Sequence, residues 1–160
     1  MLTDADVLAF YERTSDEVYR YAIRLVGGDR NRADDLLQET FLTLVRQVRS
    51  GRTDSVDIGW AITTCRSRFL DQIRRSELLD RTLRRSYERP VTDDSSSAAF
   101  EALSRLSDMQ RAALVLRYVD DMRVEDVAHR LNRSVHATES LLVRAREALR
   151  EAYTRAEGAR

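Results

Sequence analysis

Lysine is missing from this chain. All 27 basic residues among its 160 are arginine, set against 27 acidic residues, so the formal net charge is zero. A neutral total argues against a protein that coats nucleic acid indiscriminately and leaves local charge to decide. Arginine alone suits phosphate and guanine contacts, because guanidinium is a planar fork of donors. A GC-rich genome that favours arginine codons accounts for it equally well. Cysteine is nearly missing too: Cys65 stands alone, which excludes an internal disulfide. Two histidines and one cysteine do not make an ordinary structural zinc site, and neither metal nor other cofactor is expected. No apolar run approaches the roughly 20 residues of a membrane span. Thr3, Asp4 and Asp6 stand where a signal peptide needs a basic start and an apolar run. A cytoplasmic location without membrane insertion is therefore expected. No Ser/His/Asp order, carboxylate pair, phosphate loop or metal cluster marks a catalytic centre, so no enzyme is expected.

Proline (one) and glycine (five) are scarce, and nothing alternates as strands do. Apolar residues instead recur at helical spacing nearly throughout, which predicts an all-α fold. The first helices are expected over Asp4 to Val26, with Val7, Phe10, Tyr11, Val18, Tyr21, Ala22 and Leu25 inward, ended by Gly27 and Gly28. A second helix is expected over Asn31 to Val48, with Leu37, Phe41, Leu44, Val45 and Val48 inward, and a third over Trp60 to Leu79 on a stripe of Ile62, Cys65, Phe69 and Ile73. From Arg81 to Ala98 the periodicity dissolves into Pro90, Asp93, Asp94 and three serines, the composition of a flexible linker. It divides the chain into two small helical domains, residues 1–80 and 99–155. In the second, Ser107 and Gln110 form a capping-box pattern before Ala113, Leu114, Leu116 and Val119, and a polar tail follows Tyr153.

The stretch Met122 to Arg150 has the form of a helix-turn-helix. Val124, Val127, Ala128 and Leu131 face inward from a short helix; Asn132 suits a left-handed turn, and Ser134 caps a longer helix that buries Leu141, Leu142, Ala145 and Leu149. The second helix of such a unit lies in the DNA major groove. Ser134, His136, Ala137, Thr138 and Ser140 would then meet base edges.

Charge is unevenly placed. Eight arginines oppose four acids between Arg66 and Arg89, and five oppose two between Arg130 and Arg150. Thr63, Thr64, Ser67, Arg68, Asp71, Arg74 and Arg75 give the third helix a polar, basic face with Trp60 at its start. This suits a phosphate backbone with a ring for stacking, but composition alone favours an ordinary solvated face with Trp60 as a core anchor. Asp34, Asp35, Gln38 and Glu39 beside Leu36 read either as acids at a helix start, favoured by the macrodipole, or as a protein-docking face. A lone Cys65 on an apolar stripe reads first as a small core hydrophobe rather than a redox sensor.

The order DDLLQETFLTLV, WAITTCRSRFLDQIRR, a linker, LSDMQRAALVLRYVDDM and a helix-turn-helix ending in RAREAL resembles bacterial RNA polymerase sigma factors of the extracytoplasmic-function (ECF) group, in the sigma-70 family. The resemblance covers Phe10 to Tyr153. It implies a region 2 and a region 4, which bind core RNA polymerase (β′ clamp and β flap) and promoter DNA, and often an anti-sigma protein. It assigns Asp35, Leu36, Gln38, Glu39 and Phe41 to the β′ clamp, and Trp60, Thr64, Ser67, Arg68, Asp71, Arg74 and Arg75 to the −10 element. The loop Thr53 to Gly59 matches one that captures a flipped base as the promoter melts. It assigns Arg133, Ser134, His136, Ala137, Thr138, Ser140, Arg144 and Arg146 to the −35 element. Four departures stand out. Ser67 replaces Asn, Arg123 a capping Ser or Thr, and Asn132 a turn Gly. Glu139 and Leu141 replace positive charges, which implies an altered promoter preference. The rival readings are a stand-alone helix-turn-helix regulator with an N-terminal dimerisation or sensing domain, and a helical adaptor with merely solvated basic faces.

Overall fold

The computed structural model describes residues 1–80 and 98–159. The expected linker falls almost wholly outside the described residues. Among these there are helices and no strands: α1 (Asp4–Leu25), α2 (Arg30–Arg49), α3 (Ile58–Asp80), α4 (Ala98–Ser104), α5 (Asp108–Leu114), α6 (Val124–Leu131) and α7 (Val135–Gly158).

The first three helices begin where a side chain satisfies the first free backbone N–H groups. Thr3 and Asp6 form a capping box at α1, the Asp29 carboxylate accepts from the Arg32 N–H at α2, and Asp57 accepts from the Trp60 N–H at 2.8 Å. The α1–α2 connection is tight because Gly27 and Gly28 both take positive φ, +65° and +85°. Helices α1, α2 and α3 pack against one another. They bury Val18, Ala22, Leu25, Leu36, Leu44, Cys65 and Phe69 almost completely. Each large apolar side chain so removed from water stabilises by about 1.5–3 kcal/mol.

In the second module α4, α5 and α6 all pack on α7. Ser107 and Gln110 form the expected capping box on α5. The helix then widens into a π turn, Val115–Val119. That turn shifts the register and leaves Val119 half exposed, against the expectation that it faces inward. Tyr11 is likewise turned outward, its ring edge-on to Phe41 at 4.8 Å. The expected polar tail is helical instead: α7 continues to Gly158 and buries Ala152 and Ala156.

The two modules share one apolar cluster, because α5 also packs on α1 and α3. Around that contact lies a buried polar network. Asp120 accepts from the Tyr21 hydroxyl at 2.7 Å and pairs with Arg66 at 3.3 Å. Arg32 bonds both oxygens of Asp108 at 3.1 Å and lies over the Phe69 ring. Arg111 is fully buried and donates to Asp108, Leu103 O and Leu106 O. Its guanidinium lies against the Gly27 backbone, where a Cβ would stand 2.7 Å from Nε.

Candidate nucleic-acid interface

Three exposed faces result. On α2, Asp34, Asp35, Gln38, Glu39, Leu42 and Arg46 are exposed. Leu36 is fully buried and Phe41 nearly so, which removes both from the docking surface expected of them. Their burial follows from helical phase: Leu36, Thr40 and Leu44 lie one turn apart on the core side, and Phe41 closes the edge against Phe10 and Tyr11. Leu42, half exposed, was missed in the sequence. Its signal is its place four residues after Gln38, an apolar side chain on a polar face.

On α3, Trp60, Thr64, Ser67, Asp71 and Arg74 recur every three or four residues and so share a face about 21 Å long. Trp60, Thr64, Ser67, Arg68 and Asp71 are partly exposed, and Arg74 and Arg75 are exposed. Trp60 also packs on the core, so it is both anchor and exposed ring. Asp71 holds Arg74 at 3.5 Å. Arg66 belongs to the interior and not to the basic face. Cys65 is buried beside Thr40, and burial pushes its thiol up to about 12, partly opposed by a hydrogen bond with Thr40.

The third face is the helix-turn-helix. Asn132 takes the left-handed conformation, φ 54° and ψ 47°, and the Ser134 hydroxyl accepts from the Ala137 N–H. Arg123 begins α6 without a side-chain cap, as its residue type requires. His136, Arg144 and Arg146 are exposed, along with Arg133 and Ser134, while Ala137 and Ser140 are partly so. Thr138 is fully buried and its hydroxyl donates to Ser134 O, so it supports the turn rather than meeting DNA. Leu141 is buried as well. Its replacement of a charged residue is therefore a core feature, and only Glu139 alters the outer face.

The second and third faces touch. Arg74 donates to the carbonyl of Arg130 at 2.9 Å, and Arg133 pairs with Glu77 at 3.4 Å. A cleft between them is lined by Arg74, Met122, Asp126, His129 and Arg130. Two of the arginines expected on DNA thus hold the opposite module instead.

Residues 10–78 match the family "Sigma-70 region 2" and residues 97–149 match "Sigma-70, region 4". The chain is 33% identical over 147 residues to the ECF RNA polymerase sigma factor BldN of Streptomyces coelicolor, covering 84% of this chain and 55% of that protein. It is 27% identical over 154 residues to SigM of Bacillus subtilis, covering 91% and 93%. It is 30% identical over 149 residues to SigC of Mycobacterium tuberculosis, covering 88% and 80%. The chain thus spans about half of the first relative and most of the other two. Among solved structures, the fold resembles the sigma factor RpoE in its co-crystal with the anti-sigma factor NepR from Bartonella quintana, at 22% identity, 93% and 97% coverage and a TM-score of 0.56.

Proposed function

The chain belongs to the sigma-70 family, in its extracytoplasmic-function group, and on that premise we propose that it joins core RNA polymerase and directs initiation at a two-part promoter. The exposed α2 residues Asp35, Gln38 and Glu39, with Leu42 among them, dock on the β′ clamp. The α3 face from Trp60 to Arg75 meets the −10 element, and the Thr53 to Gly59 loop receives a base as the duplex opens. The outer face of α7, with Arg133, His136, Arg144 and Arg146, reads the −35 element in duplex form, while the second module also meets the β flap. The role is binding and positioning in the cytoplasm, with no catalysis by this chain. An anti-sigma partner is carried over from the family alone.

One observation carries this reading: an acidic, leucine-bearing face on α2 and an arginine-bearing face on α3 precede a capped helix-turn-helix in the same chain. A stand-alone regulator leaves the α2 face without a task. The exposed Arg133–Glu77 pair across the modules is worth about 0–1 kcal/mol, so freeing that arginine for DNA costs little.

In vitro transcription with purified core polymerase tests the proposal. Specific initiation is expected with the native chain, and at least tenfold less with Gln38→Ala or Glu39→Ala. Tight dimeric binding to duplex DNA without polymerase, together with no promoted initiation, would sink it.

A further inference from the structure

Glu139 is an acid at the centre of a surface that has to approach phosphates. It is exposed on α7, whose exposed stripe His136, Glu139, Val143 and Arg146 advances by three, four and three residues. Between His136 and Val143 the stripe covers about 10 Å of helix, or roughly three base-pair steps of about 3.4 Å. Glu139 is thus centred on the base edges that the first two turns of a recognition helix reach.

Ordinary reasons for an acid here do not hold. Glu139 is the fifth residue of α7, past the first turn in which the helix dipole favours a carboxylate. Its neighbours three and four residues away are Val135, His136, Leu142 and Val143, so no arginine on its own helix lies at ion-pairing spacing. Among the described residues no hydrogen bond or ion pair holds it. Arg133, by contrast, pairs with Glu77, and Arg146 donates to the Tyr118 hydroxyl.

The chemistry of the groove then narrows its partner. An ionised carboxylate only accepts hydrogen bonds. In the major groove guanine shows N7 and O6 and thymine shows O4, all acceptors; only the amino groups of cytosine and adenine donate. Adenine presents its amino group beside the N7 acceptor, which repels a carboxylate and favours an amide. Cytosine presents N4 with no acceptor beside it.

We propose that Glu139 reads a cytosine in the upstream promoter element through its N4 amino group, and that this residue sets the promoter preference of this chain apart. The inference rests on α7 being the duplex-reading helix of a sigma factor. Arg146, two turns further along the same face, offsets the acid's repulsion of nearby phosphates.

The test is transcription by holoenzyme assembled from core polymerase and the full chain, on a promoter library randomised across the upstream element, with the transcribed templates sequenced. The native chain is expected to select cytosine at one position, by roughly tenfold or more over other bases. Glu139→Ala should abolish that preference at that position alone. Glu139→Gln, which adds a donor and suits the adenine edge, should move it to adenine. If both variants instead raise output from every template equally, Glu139 only repels phosphate and the inference falls. If the native chain initiates from no template, the sigma-factor reading itself fails, and the inference with it. Both variants should keep the native far-ultraviolet circular dichroism, since Glu139 is exposed.

Discussion

Two buried ionisable residues give the chain a defined response to alkali. The Cys65 thiol is pushed from 9.0 to about 12 by burial. The Tyr21 phenol is raised from 10.0, first by burial and then by the Asp120 charge beside it. Above the ordinary values, the unfolded chain loses these protons while the folded chain keeps them. Stability is therefore full below pH 9 and falls as pH rises toward the folded values. Urea unfolding should give a flat midpoint from neutral pH to about pH 9 and a declining one by about pH 10.5. Cys65→Ala should shift the midpoint at neutral pH and flatten the first part of the decline. An unchanged slope in that variant would show that the thiol is already exposed to solvent. The same burial argues that Cys65 is a packing residue, as its place on an apolar stripe suggests.

The helix-turn-helix was the most legible element in the sequence, because its signals are local. Asn132 and Ser134 sit where backbone conformation and N–H satisfaction require those residue types. Ser134→Ala should cost about 1 kcal/mol through loss of the cap, measured by thermal unfolding, and should fray the start of α7 in hydrogen exchange. No change in protection at Ala137 would mean the cap is dispensable. What the sequence hid was rotation about the helix axis. The family resemblance places Leu36 and Thr138 on functional faces, yet both point into the core; Leu141, which helical spacing places inward, is buried as expected. A helical pattern predicts a stripe, but a family motif spans both the stripe and its neighbours. Val119 departs from its inward expectation for another reason: a π turn adds a residue to the ring and moves the following side chains around the helix. The helix beyond Tyr153 is not legible in the sequence, because the alanines it buries, Ala152 and Ala156, carry little periodic signal.

At the scale of the molecule, the two modules were legible and their contact was not. Tyr21 lies on the inward stripe of α1, but nothing local marks Arg66, Arg111 or Asp120 as interior. Gly27 shows how closely the modules meet, since Arg111 of the second module occupies the space of its missing side chain. The Arg111 guanidinium is itself fixed by Leu103 O, Leu106 O and Asp108, so it has little room to withdraw. Gly27→Ala combines a positive φ, costing about 1–2 kcal/mol, with this clash. Gly51→Ala shares the positive φ but meets open space. Chemical unfolding should therefore show Gly27→Ala as the more destabilised of the two, and limited proteolysis should cut it faster between the modules. Equal losses would mean that Arg111 yields freely and the contact is loose.

The buried pairing of Arg66 with Asp120 also orders events in time. During synthesis the first module leaves the ribosome before Asp120 has been made. At roughly 5–20 residues per second, the 54 residues that separate the two positions take a few seconds to add. Until the second module has emerged and folded, Arg66 and Tyr21 lack their shared carboxylate and the surface later covered by α5 has no cover. The nascent first module is thus briefly cationic and apolar on a side that the finished chain conceals, and it is the arrival of the second module that closes it.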